Sequence, residues 1–237
     1  IFGSPMDSKR IVRGTLPAGR DRYTIKGSIP DPALFAAFHL RQRLVEAGIP
    51  VSQRPESEYD HFREPVTYKE IAEVSSPPLK DLVRHINLES DNLMAEGLLL
   101  QLGAKTGDAS IEGGLDALRS FFKGVWGENA RFFAYDGSGL SRFNSVSAEQ
   151  ICDLLVRANS NQVLKTHLLN VLPRAGKEGS VKWFGLHTNL AGNTRLKSGS
   201  MEGVKAYAGV LTTYTGRELA FAIMVNNFGI PAVELRK

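Results

Sequence analysis

Residues 93–102 read Leu-Met-Ala-Glu-Gly-Leu-Leu-Leu-Gln-Leu, apolar on nearly every side of a helix. A helix with almost no polar face belongs in the middle of a domain, so this segment demands a core around it. The chain can supply one, because 237 residues with 42% hydrophobic composition suffice for one large domain or two small ones. The break before this helix, Glu89-Ser90-Asp91-Asn92, is therefore polar sequence held beside a core.

Other elements follow from turn and cap chemistry. Residues 11–13 and 23–25 are short β-like runs separated by Pro17-Ala18-Gly19, which reads as a hairpin. Asp31 before Pro32 starts a helix with an apolar stripe of Leu34, Phe38, Leu44 and Val45, and Gly48 stops it. Residues 52–65 form a polar loop and residues 67–74 a strand. Helices follow over 79–86, 93–102 and 114–125. A fourth starts at Ser147, with Gln150 completing a capping box, and a fifth covers 162–172. The C-terminal region holds three strands, 194–197, 204–213 and 218–226, the last two joined in a hairpin at Thr215-Gly216. Helices in the middle with antiparallel strands at the end give an α/β or α+β layered fold.

Composition excludes several functions. Twenty-nine Lys and Arg against 25 Asp and Glu leave a formal charge of +4. No basic cluster interleaved with aromatics accompanies it, so nucleic acid is not the expected partner. A basic surface suits the carboxylates of a cell-wall peptide equally well. Cys152 is the lone cysteine and lies in an apolar helical stretch, so neither a disulfide framework nor a thiolate site is expected. The five histidines show no i, i+4 pair, which argues against zinc, and no run is long enough for a transmembrane segment.

Two short motifs remain, Ser90-Asp91-Asn92 at the mouth of the apolar helix and Lys197-Ser198-Gly199 at the end of a strand. Taken singly, the first is most often a helix cap and the second a turn. In this order and these contexts they match the second and third motifs of the serine penicillin-recognising enzymes. The segments Ser90 to Glu96, Tyr135-Asp136-Gly137-Ser138-Gly139-Leu140-Ser141-Arg142, Leu172-Pro173-Arg174-Ala175-Gly176 and Lys197 to Val204 sharpen the match. From about Ile11 onward the chain resembles the class C penicillin-binding proteins, the D-alanyl-D-alanine carboxypeptidase/endopeptidase family.

That resemblance implies a β-lactamase/DD-peptidase-like fold, an antiparallel sheet with a helical region, of which this chain is a partial domain. Residues 31–237 are expected to be the C-terminal portion of the peptidase domain, and residues 1–30 the tail end of an upstream or inserted β-rich region. The implied partners are a peptidoglycan stem peptide ending in D-Ala-D-Ala and, for the full-length protein, beta-lactam antibiotics. The reaction uses an acyl-enzyme without metal or cofactor, in a periplasmic or other extracytoplasmic compartment.

By the same resemblance Lys197 is a fixed cation beside the substrate's terminal carboxylate, and Ser198 donates a hydrogen bond to that group. Gly199 lets the strand approach an extended ligand, and the Ser200 N–H is an oxyanion donor. Ser90 passes a proton to the leaving amine while Asn92 holds the substrate backbone. Asp91 is expected to cap its helix rather than to react. Asp136 and Ser138 lie in a Gly-rich turn and either shape the site or only the turn.

The family's nucleophile is a serine in Ser-x-x-Lys, and the one occurrence here is Ser120-Phe121-Phe122-Lys123. It follows Ser90 instead of preceding it and lies on an amphipathic helix, so it reads as a pair of surface positions. Because the chain opens Ile1-Phe2-Gly3 and ends as though within a helix, the expectation is that nucleophile and signal peptide lie upstream. A degenerate natural homologue is the other possibility. Either way this 237-residue species is expected to be inactive. The alternatives are a non-catalytic peptidoglycan-peptide binder and a serine β-lactamase.

Overall fold

A computed structural model of the chain describes residues 9–16, 18–19, 22–24, 27, 29–57, 69–70, 72–128, 131–230 and 234. The chain divides into two compact units, residues 1–74 and 75–237. In the first, helix α1 spans Pro32–Glu46. Its N-cap Asp31 accepts a hydrogen bond from the Leu34 N–H at 2.8 Å and a second from the Ser57 hydroxyl. Gly48 and Ile49 close the other end on the carbonyls of Val45 and Leu44, with Gly48 in the left-handed region that glycine tolerates.

The expected stripe on α1 is shifted. Its more sheltered side is Leu34, Ala37, Arg41 and Leu44, whereas Phe38 and Val45 face solvent. Positions 38 and 45 lie one step round the helix from that i, i+3, i+7, i+10 row. Pro17 and Ile25 of the expected N-terminal hairpin, and residues 67, 68 and 71 of the expected strand, lie outside the described residues. The described remainder of both carries no extended strand, only a single bridge position at Ile11.

The second unit contains the other elements. Helix α2 (Leu79–Glu89) runs into Ser90, which turns the chain in a left-handed conformation. Helix α3 (Asn92–Thr106) starts on the Asp91 carboxylate, which accepts from the Met94 N–H at 3.0 Å. Helix α4 (Ile111–Trp126), capped by Ser110, packs on α3 so closely that a Cβ on Gly103 would stand 2.6 Å from the Gly114 nitrogen. Leu99, Leu115 and Ala134 form the core there, with Leu118 and Phe132 against them.

Apolar composition all round predicts a place for α3 at a domain centre. In fact only Leu99 and Gly103 of α3 are buried, and Leu93 is 82% exposed. Helix α4 covers one side of it, and an apolar sequence does not say how many sides find a partner.

Helix α5 (Ala148–Ser160) begins with the expected capping box, Ser147 and Gln150 each accepting the other's backbone N–H at 3.0 Å. The expected fifth helix is a short α6 (Gln162–Leu164) that loosens into a π-helical turn, Lys165–Leu169. Strands β1 (Thr194–Met201), β2 (Val204–Thr212) and β3 (Glu218–Asn226) make an antiparallel meander in that order. One hydrophobic cluster joins Ala158 and Leu169 to Leu172 and Val210. Another buries Ala175, Val181 and Leu196 beneath Phe184, Tyr207 and Phe221. Strand β1 runs past its expected end at Lys197 to Met201, because the whole Lys-Ser-Gly-Ser stretch is paired with β2 before the turn at Gly203. Among the described residues no helix is long and apolar enough to cross a membrane.

Candidate active site

Ser90 and Lys197, 107 residues apart, meet directly: the Lys197 ammonium donates to Ser90 Oγ at 2.6 Å and to the Ser198 carbonyl at 2.8 Å. Each partner is placed by its own element. Ser90 sits at φ 55°, ψ 50° between α2 and α3, a conformation that costs a non-glycine residue about 1 kcal/mol or more. Lys197 projects from β1, held in register by pairing with Ala208 of β2. Burial lowers the Lys197 pKa from the ordinary lysine value, and the positive charge of Lys205 lowers it further. This ammonium therefore gives up its proton more readily than a surface lysine.

Around this contact lies a cleft of about 740 Å³, walled by Ser90, Asp91, Asn92 and Ala95 on one side and the strand from Lys197 to Met201 on the other. Residues Gly137 to Leu140 form its third wall. Ser90, Asn92, Lys197, Ser198, Gly199, Ser200 and Ser138 are thus brought to one cavity. Asp136 is not on its wall. Its carboxylate is engaged inside its own turn, accepting from Gly139 N at 2.8 Å, Ser141 N at 2.6 Å and the Asn144 amide at 2.8 Å. Asp91 caps α3, and its other oxygen faces His85 Nε2 at 3.6 Å.

Several residues with no separately expected role complete the geometry. Glu96, one turn into α3, accepts from the backbone of Gly137 at 2.9 Å and Ser138 at 3.0 Å, which clamps the third wall to the helix. The sequence signal was available, for Glu96 is the only charge in the 93–102 run. Ser180 Oγ lies 2.9 Å from Ser198 Oγ. Glu178 pairs with Arg84 of α2 at 3.0 Å and accepts from the Arg174 N–H at 2.9 Å. Burial works to raise the Glu178 pKa, but these hydrogen bonds and cations outweigh it and carry the group below the ordinary glutamate value. Neither Ser180 nor Glu178 carried a signal in the sequence beyond lying in a Gly-flanked segment.

Ser120 and Lys123 stand apart from the cleft. Both are exposed on α4, and Lys123 pairs with Glu128 at 2.8 Å, as the surface reading expected.

Residues 4–236 match the D-Ala-D-Ala carboxypeptidase 3 (S13) family. The chain is similar to carboxypeptidase DacB of Mycolicibacterium smegmatis, 34% identical over 165 residues that make up 67% of this chain and 36% of that protein. It is also similar to D-alanyl-D-alanine carboxypeptidase DacB of Haemophilus influenzae, 26% identical over 230 residues, 94% of this chain and 46% of that one. The structure of penicillin binding protein 4 (dacB) from Haemophilus influenzae, complexed with a novel beta-lactam, matches with a TM-score of 0.71 at 25% identity. That match covers 89% of this chain and 48% of the other. A TLA-1 extended spectrum β-lactamase, at 15% identity and a TM-score of 0.52, covers 86% of this chain and 77% of its own, and shows a shared fold alone. The chain spans less than half the length of the two curated carboxypeptidases. Since the family match runs over nearly all of the sequence, the chain belongs to the D-Ala-D-Ala carboxypeptidase 3 (S13) family.

Proposed function

We propose that this cleft serves a serine-type D-alanyl-D-alanine carboxypeptidase acting on peptidoglycan stem peptides through an acyl-enzyme. The observation that carries the reading is the 2.6 Å contact between Lys197 and Ser90, which joins the two motifs in one cavity. In this reading residues 31–237 are the C-terminal portion of the peptidase domain, residues 1–30 the tail end of an upstream or inserted β-rich region, and the compartment is periplasmic or otherwise extracytoplasmic. Beta-lactams are ligands of the full-length protein, a reading supported by the matching Haemophilus protein having been solved with one.

The chemistry follows from what each side chain can do. A Lys197 cation attracts the terminal carboxylate of the peptide, and Ser198 Oγ donates to it. Because Lys197 donates to Ser90 Oγ, the Ser90 hydroxyl proton is left for a leaving amine, which proton transfer requires to come within about 2.6–3.2 Å. Asn92 and the exposed backbone edge of β1 align the extended peptide, and the Ser200 N–H receives charge that develops on the scissile carbonyl oxygen. Ser138 lines the opposite wall, and Asp136 holds Ser138's turn in shape from within. An endopeptidase activity on peptide cross-links would use the same groups.

No Ser-x-x-Lys of this chain reaches the cleft, so the attacking serine comes from another part of the protein, and the 237-residue chain neither releases D-Ala nor takes up penicillin covalently. The test is intact mass after incubation with a fluorescent penicillin, for this chain and for the full-length product. Labelling of the longer protein alone is expected. Labelling of neither favours the non-catalytic peptide binder, and hydrolytic turnover of penicillin by the full-length protein favours a β-lactamase.

A further inference from the structure

Away from the cleft, the other end of β1 carries a cluster of cations. Arg174 and Arg195 stand opposite one another at an isolated antiparallel bridge. Backbone hydrogen bonds flank the pair, from the Leu196 N–H to the Pro173 carbonyl at 3.0 Å and from the Ala175 N–H to the Thr194 carbonyl at 2.9 Å. Opposite residues of such a pair share a face and approach most closely, with Cα atoms about 4.5 Å apart. The two arginine side chains therefore leave the backbone side by side. Both line a recess of about 240 Å³ that shares no lining residue with the cleft.

Among the described residues of this recess the one carboxylate is Glu218, and it is taken up by the Lys165 ammonium and the Asn159 amide. Neither Arg174 nor Arg195 forms an ion pair among the described residues. Glu178 acts on both from outside the recess, but it is paired with Arg84 at 3.0 Å, so one negative charge is shared among three guanidinium groups. A further cation stands at the rim, where a Cβ on Gly192 would lie 3.2 Å from the Lys177 ammonium. A sheltered cation beside a second one gains from a ligand that brings negative charge between them.

The recess is also built to receive such a ligand. One nitrogen of Arg195, Nη1, donates to the carbonyl oxygens of Asn170 at 2.9 Å and Leu172 at 3.2 Å. Those bonds fix the plane of the guanidinium, and its remaining N–H groups make no hydrogen bond among the described residues. A single bidentate guanidinium saturates a carboxylate. A phosphate group carries about −1.5 to −2 charge at neutral pH and offers three acceptor oxygens, enough for two guanidinium forks at once.

We propose that the recess between Arg174 and Arg195 is a phosphate-binding site, separate from the active cleft. An anion held there ties the start of β1 to the 174–181 segment, which carries Ser180 to Ser198. The proposal is independent of the peptidase reading, and its failure leaves that reading untouched.

The test is calorimetric titration of the 237-residue chain with inorganic phosphate, with glycerol 3-phosphate and with acetate, at fixed ionic strength. Wild type is compared with Arg174→Gln, Lys177→Gln and Lys123→Gln, each checked for an unchanged thermal melt. Saturable binding of phosphate by wild type is expected, with acetate about tenfold weaker or more. Arg174→Gln should weaken phosphate binding about tenfold or more, the ratio that one lost charge-assisted hydrogen bond produces. Lys177→Gln should weaken it in the same direction, and Lys123→Gln, which removes the same charge from the exposed side of α4, should leave it unchanged. Glycerol 3-phosphate binding at least as tightly as inorganic phosphate assigns the recess to a phosphate carried on a larger molecule, and weaker binding assigns it to the free anion. Absence of saturable binding of either phosphate overturns the proposal. So does affinity unaltered in both Arg174→Gln and Lys177→Gln, an equal loss in Lys123→Gln, or acetate bound as tightly as phosphate.

Discussion

Ser90 has to hold an unfavourable backbone conformation and present a hydroxyl to Lys197 at the same time. Glycine adopts φ 55° at no steric cost, so Ser90→Gly is expected to be more stable than Ser90→Ala by about 1 kcal/mol, although both lose the hydroxyl. Urea denaturation of the two variants decides it, and equal midpoints would refute backbone strain at this position. Lys197 makes the complementary case. Folding lowers its pKa, so the unfolded chain holds the proton more tightly, and the wild type gains stability as pH rises from the folded toward the unfolded value. Lys197→Met carries no such proton and removes a half-buried charge, and such a replacement is often neutral or stabilising. Its melting temperature is expected to equal or exceed that of wild type at neutral pH, with the difference shrinking toward about pH 10, where an ordinary lysine titrates. A melting temperature well below wild type at neutral pH would show that the ion's contacts outweigh its burial.

At the scale of elements, the third wall of the cleft is clamped to α3 by one carboxylate. Glu96→Ala leaves the N–H groups of Gly137 and Ser138 to water and is expected to cost about 1 kcal/mol. Glu96→Gln keeps one acceptor oxygen and should lose about half as much. Hydrogen exchange localises the effect, since the amides of 137 and 138 should lose protection while those of α5 do not. Unchanged exchange at 137 and 138 would mean that the turn is held by Asp136 alone. The elements that were legible in the sequence were those whose cause is local. Asp31, Ser147 and Gln150 cap helices with atoms three residues away, and the two motifs announced themselves by residue type and order. What escaped was set by distant partners. The extension of β1 to Met201 comes from pairing with β2, the exposed side of α3 from where α4 happens to lie, and the role of Glu96 from a segment many positions away. For Asp136 the sequence offers a site-shaping or a turn-forming role, and the hydrogen bonds that engage its carboxylate inside residues 136–144 are not visible from residue type alone.

At the scale of the 75–237 unit, the cleft exists because helices α2 and α3 are held against the sheet and the segment that leads into it. The Lys197 to Ser90 contact is one tie, and Glu178 with Arg84 is another. Arg142 and Glu202 also pair at 2.8 Å, but both are well exposed and an exposed pair contributes little. Glu178 is more sheltered, and it also accepts from the Arg174 backbone, so that it fixes the 174–181 segment and Ser180 beside Ser198. A Cβ on the next residue, Gly179, would stand 2.5 Å from the Leu88 carbonyl oxygen of α2, so the approach leaves no room for adjustment. Because folding depresses the Glu178 pKa, the stability it contributes is fully present above the unfolded glutamate value of 4.5 and is lost as pH falls through the lower folded value. Glu178→Gln has no such dependence. Wild type should therefore melt above the Gln variant at neutral pH, and the two curves should converge on acidification below that value. Melting temperature against pH for both proteins measures it, with peptide binding followed alongside. Convergence accompanied by loss of binding would identify Glu178 as the group that keeps the cleft shut against acid. A constant gap between the curves at every pH would place the acid sensitivity of the fold in another carboxylate, and the tie between α2 and the 174–181 segment would then rest on packing at Gly179 and Leu88.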